Sequence, residues 1–188
     1  MLQFPSITAR SILDVILVGL AAFGHPKAAP GPDVPDKIKA PAGEVVVLRA
    51  QASGSQSYVC RRSREETSAW ILKSLKAELR DQHGAILGHH HAGFNWRFYD
   101  GSEVTGKPIA LADSPDPDSI PWLLFTVVGH SGDGVSAHVV TIQRVHTRGG
   151  QPPPATDCNA SRLNTEIESP YTADYYFYMP LKQSDWPD

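Results

Sequence analysis

The chain has 188 residues, 41% of them hydrophobic, and a formal net charge of −3. That length and apolar content suffice for one buried core, so a single domain is expected. The weakly acidic balance gives no electrostatic footing for nucleic acid or an anionic membrane surface, and 16 prolines with 15 glycines fit short strands and many turns better than a helical bundle.

Residues 1–24 read as a signal peptide. Arg10 supplies the positive charge, Val15 to Phe23 the apolar run, and Ala22-Phe23-Gly24 the small residues that a signal peptidase inspects. The run falls short of the roughly 20 apolar residues that span a bilayer, so no stable membrane span is expected. Asp14 interrupts it and leaves a retained N-terminal anchor as the alternative. Export would place the protein in the periplasm or outside the cell, with a mature start near His25. Residues 25–41 carry Pro26, Pro30, Pro32 and Pro35 and read as a Pro-rich tether, because proline has no donor for helix or central strand.

A single β domain is expected over 42–180, with a tail at 181–188. Ala42-Gly43 turns into a β-branched strand, Glu44 to Ala50. Gly54-Ser55 reads as a turn into a second strand, Gln56 to Cys60. Residues 65–80 are ambiguous: Trp70, Ile71, Leu75 and Leu79 have near-helical spacing, yet two short strands around Lys73-Ser74 suit the same residues. Asp81 to Gly88 and Asp100 to Gly106 share one hairpin pattern, an acidic opener, a glycine, an apolar residue and a closing glycine. Residues 88–107 gather imidazoles, large aromatics and turn glycines most densely, and Trp96, Phe98 and Val104 alternate as in a half-buried strand. Asp100-Gly101 is a tight-turn dipeptide, so this stretch reads as strand, turn, strand.

Ala112 to Ser119 is a surface loop. Ile120 to Val128 is the most apolar run of the mature chain and a central-strand candidate, with Pro121 near its start. Gly129 to Gly134 is a turn, Val135 to Arg148 a long strand, Gly149 to Pro154 a sheet breaker, and Tyr171 to Tyr178 a closing aromatic strand. The sum is an all-β fold, an antiparallel sandwich or partly closed barrel of about eight to ten short strands. Cys60 and Cys158 fit one disulfide in an exported chain. Two free thiols or a catalytic thiol are the alternative, and no Cys-x-x-Cys zinc spacing is present.

Several short blocks occur in one order: Gly54-Ser55-Gln56-Ser57-Tyr58-Val59-Cys60, Gly88-His89-His90-His91-Ala92-Gly93, Trp96 with Asp100-Gly101-Ser102, Ile120-Pro121-Trp122-Leu123-Leu124, Ile142-Gln143-Arg144-Val145, and Thr172-Ala173-Asp174-Tyr175-Tyr176-Phe177-Tyr178. On these blocks, from roughly Ala42 to Tyr178, the chain resembles the bacterial and fungal family catalogued as domain of unknown function 3455. The resemblance implies an exported domain with a paired cysteine, and no agreed activity comes with it. His90 stands at the family's histidine position, His91 where tyrosine is usual, and Leu75 where a proline often occurs. A proline there would break a helix, so the resemblance favours strands for 65–80. No Gly-x-Gly-x-x-Gly opens a helix, so no dinucleotide site is expected, and no cofactor is implied.

In a strand, His89 and His91 share one face and His90 points the other way. Two such imidazoles can chelate zinc or copper with a third ligand, or stand solvated beside a core His90. His90 is the preferred functional histidine, as hydrogen-bonding group, metal ligand or acid/base, and no metal is firmly assigned. The Trp96-to-Asp100 hairpin that follows it carries the best stacking surface. Asp100, Arg144 and Asp174 lie in or beside apolar strands, where burial requires either an internal Arg–Asp pair or a role as polar anchor in a pocket. Asp113, Asp116 and Asp118 lack the glycine and glutamate of a calcium loop, and no Gly-x-Ser-x-Gly elbow is present. The expected ligand-binding set is therefore His90, Trp96, Asp100, Arg144 and Asp174. The expected function is a small-molecule or glycan binding module. The alternative is a metal-assisted or general acid/base enzyme centred on His90 with Asp100 or Asp174.

Overall fold

The structure, a computed structural model, describes residues 30–62, 67–91 and 93–181. The expected signal peptide, 1–24, and nearly all of the expected tail lie outside the described residues. Eight strands form one closed antiparallel barrel in sequence order: β1 Glu44–Arg62, β2 Ser68–Arg80, β3 Ile86–His91, β4 Asn95–Phe98, β5 Glu103–Ala112, β6 Trp122–Ser131, β7 Thr141–Gly149 and β8 Glu166–Pro180. β8 pairs with β1 from Glu44↔Pro180 to Val59↔Glu166 and closes the ring. The choice between sandwich and barrel thus falls to the barrel. No helix among the described residues is long and apolar enough to cross a membrane.

Alternation along the strands separates two apolar clusters. The inward cluster holds Ala52, Leu79, Trp96, Phe125, Tyr175 and Phe177 among others. Small inward residues make room for the large ones. Gly106 faces the Trp96 ring so closely that an added Cβ would lie 2.9 Å from it. The second cluster lies on the outward side of β6–β8, where Trp122, Leu124, Tyr176 and Tyr178 meet Val34 and Ile38. Ile38 is fully buried and its carbonyl accepts from the Gln143 side chain, which in turn accepts from the Tyr178 hydroxyl. This part of the Pro-rich segment is therefore a packed strap, not a free spacer.

Three local expectations are corrected. Gly54-Ser55 is no turn: β1 runs through it as one strand of 19 residues. The glycine is needed because the β2 backbone comes so near that a Cβ would sit 2.0 Å from the Lys76 carbonyl oxygen. Residues 68–80 form one strand, not two, and Lys73-Ser74 marks a bulge, where the partners step from Ser57↔Ser74 to Tyr58↔Leu72. Pairing with β1 on one edge and β3 on the other overrides the helical spacing of the apolar residues. The strand expected from Val135 begins only at Thr141, because Ala137 and Val139 donate to Gly134 and Ser136 in successive tight turns.

The Asp100-Gly101 turn is present, with Gly101 at φ 89°, a conformation that a side chain would strain. Its hairpin echo is also real in chemistry. Asp81 accepts from the amides of His83 and Ala85, and Asp100 from the amide of Ser102. Cys60 and Cys158 are disulfide-bonded, with Cα atoms 5.4 Å apart, and no free cysteine is found.

Candidate functional site

Strand alternation places His90 inside the barrel and His89 and His91 outside, as the spacing predicted. Ala77, His90 and Trp96 are directly opposed across β2, β3 and β4. His90 and Trp96 are both fully buried, and their rings stack 4.5 Å apart with planes 4° from parallel. His90 Nδ1 lies 3.0 Å from the Tyr175 hydroxyl and 3.3 Å from that of Tyr171. A hydroxyl that donates to Nδ1 leaves the ring proton on Nε2, and Nε2 has no protein partner.

Arg144 completes the layer. It pairs across the sheet with Tyr175 on one side and Leu123 on the other, so its side chain enters the same interior. Its Nη2 donates to the Pro121 carbonyl at 2.8 Å, and its charge acts on the nearby Tyr175 hydroxyl. Tyr58 stands at the same level, donating to Gln56 Oε1 at 2.6 Å and to the Gly150 carbonyl at 2.8 Å. Inside a largely apolar barrel these residues form a polar layer of one imidazole, one guanidinium and three phenols.

Electrostatics keep the phenols and the imidazole neutral. Burial, then the nearby Arg144 charge, then His91, hold the His90 pKa well below its ordinary 6.5. Burial pushes the hydroxyls of Tyr58, Tyr171 and Tyr175 up. The linkage sign follows. The unfolded chain binds a proton at His90 near pH 6.5 and the folded chain does not, so this contribution is complete above that pH and is lost as pH falls. Denaturation at about pH 7, 6 and 5 should show stability falling by up to about 1.4 kcal/mol per pH unit. His90→Gln should flatten that slope. Equal slopes in the two proteins would contradict a neutral, buried His90.

The other two expected residues stand elsewhere. Asp100 caps its own turn and also accepts from the Val135 amide at 2.7 Å; these backbone donors hold its carboxyl below the ordinary value. Asp174 lies on the outer wall, where Oδ2 accepts from Arg49 Nη2 and His146 Nδ1, each at 2.9 Å. His146 has φ 50° and packs edge-on against Trp122. His90 therefore has neither carboxylate beside it, and the Arg–Asp pair envisaged for Arg144 is not formed. Tyr171 and His146 were not singled out from the sequence. Tyr171 is signalled by its two-residue spacing from Ala173 and Tyr175, whereas His146 takes its place only through the register shift between Val145 and Arg148.

Two shallow clefts open on the barrel. One, about 270 Å³, is lined by Ser53, Lys76 and Glu78 together with His89, His90 and His91 of β3. The other, about 280 Å³, lies at a barrel end between Asp113, Asp116, Ser119, Pro121 and Gln151, and Pro121 connects it to Arg144. Among the described residues, no group of three or more His, Cys, Asp or Glu side chains stands together as a metal-binding set.

Comparison with curated proteins and with solved structures returns no match. The family described as "Protein of unknown function (DUF3455)" matches residues 41–179, the strands of the barrel almost from end to end, and on that match the chain belongs to this family.

Proposed function

We propose that the protein is an exported binding module that holds a small molecule or glycan on the polar layer of the barrel interior. His90, Trp96 and Arg144 bind, and Tyr58, Tyr171 and Tyr175 shape the floor. The observation that carries this reading is a group of buried polar atoms without partners: His90 Nε2, Trp96 Nε1 and Arg144 Nε. Each such atom costs about 1–3 kcal/mol if left without a hydrogen bond, so a ligand or ordered water that meets any of them gains more than one at an exposed surface. An acid/base enzyme centred on His90 has weaker support, since Asp100 and Asp174 are engaged elsewhere.

Native mass spectrometry of protein taken from the cell envelope tests both export and binding. The expected spectrum shows a polypeptide beginning near His25 and a non-covalent small-molecule adduct on it. An intact Met1 terminus would overturn export. A bare polypeptide mass, together with no thermal response to a panel of sugars and small metabolites, would overturn binding. For the site itself, His90→Gln should weaken ligand binding at least tenfold. A purely structural histidine would instead lower the melting temperature and leave affinity unchanged.

A further inference from the structure

We infer that the ligand of the barrel interior is a small anion, a carboxylate fitting best, and that Arg144 is its charge partner; this rests on the binding reading above and supplies its ligand class. The observation is a buried cation without an anion. Arg144 is 4% exposed, and its guanidinium donates to a neutral acceptor, the Pro121 carbonyl. The ion pairs among the described residues use Lys39, Arg49, Lys73, Lys76, Arg80, Arg97 and His146, and none uses Arg144. A lysine in this place would answer burial by losing its proton, but a guanidinium keeps its charge. Buried charge is costly unless paired, and the phenols around Arg144 stay neutral.

The free atom also specifies the geometry. A carboxylate takes two parallel hydrogen bonds from one edge of a guanidinium, and the Nε edge of Arg144 includes the unpartnered Nε. The Trp96 indole N–H, also without a partner, is a second donor on the same interior, and a donor likewise favours an acceptor-rich ligand. The nearby acidic loop does not fill this role. Asp116 accepts from the Ser119 hydroxyl and the Asp118 amide, and neither it nor Asp113 forms an ion pair with Arg144.

Acetate and acetamide have nearly the same shape and differ in charge, so they test the inference directly. Wild-type protein is titrated with each up to about 200 mM while its melting temperature is followed, with ionic strength held by a bulky sulfonate salt. Acetate should raise the melting temperature by several degrees and saturate, and acetamide should not. Arg144→Gln should abolish the acetate response, and Arg144→Lys, whose ammonium gives up its proton when buried here, should lose most of it as well. Should Arg144→Gln fail to fold, wild-type crystals soaked in sodium bromide carry the test through an anomalous peak at the guanidinium, and a peak elsewhere only would count against the site. Equal saturating responses to acetate and acetamide would overturn the anion class while leaving a neutral-ligand site in place. No response to either would overturn the inference, and the mass spectrum described above decides separately whether the binding reading falls with it.

Discussion

Trp96→Ala is expected to lower the unfolding free energy by about 3–5 kcal/mol, the range for removing a fully buried tryptophan. The indole is packed on one face and along its edges, with the N–H left without a protein partner. His90 stacks on one face, Phe125, Tyr175 and Phe177 meet it edge-on, and Gly106 presses against its six-membered ring. Gly106 has no side chain to swing into the space, and its strand cannot shift without breaking pairs with β6. The cavity left by alanine should therefore stay largely open, which places the loss toward the upper end of the range. Equilibrium denaturation followed by far-ultraviolet circular dichroism measures it. A loss below about 1 kcal/mol would mean that the interior can collapse around the gap, contrary to the packing described.

Cys158→Ser should cost about 2–5 kcal/mol, the usual consequence of deleting a native disulfide from a small domain. The bond joins the end of β1 to the segment between β7 and β8 across 98 residues of sequence. Backbone contacts support it, because the Cys60 amide donates to Thr165 and its carbonyl accepts from Asn164. Without the covalent link, the β7–β8 connection would still be tied by these bonds, by Arg61 donating to the Asn164 side chain and by the Trp70 indole N–H donating to Pro154. Wild-type protein treated with dithiothreitol should reproduce the melting temperature of the variant. An unchanged melting temperature under reductant, with peptide mapping that finds both thiols free beforehand, would refute the prediction.

Much of this architecture is legible in the residues themselves. Two-residue alternation and β-branched runs point to strands, because side chains on a pleated backbone must point alternately to two faces. That rule alone placed His90 opposite His89 and His91, and the Asp-Gly dipeptide alone located its turn. The all-β class follows from composition in the same way, whereas the bond between Cys60 and Cys158, one of two readings of the sequence, is settled by their approach in the fold. Local chemistry could not say what a glycine is for. Gly54 looks like a turn in isolation, and only the approach of the Lys76 carbonyl shows that it marks a close contact between strands within a continuous β1. Nor could the residues 68–80 choose between helix and strand, since the deciding term is hydrogen bonding to β1 and β3, partners remote in sequence. The same limit applies to the candidate site. His90, Trp96 and Arg144 were identifiable as buried or polar members of strands, but which of the polar residues share one interior depends on register and on closure of the ring. Closure brings Arg144 against Tyr175 and sends Asp174, one residue away, to the opposite side of the wall with Arg49 and His146. A one-residue step along a strand changes face, so the inside of the barrel was decided by how the strands pair, a property of the tertiary structure and of no single segment.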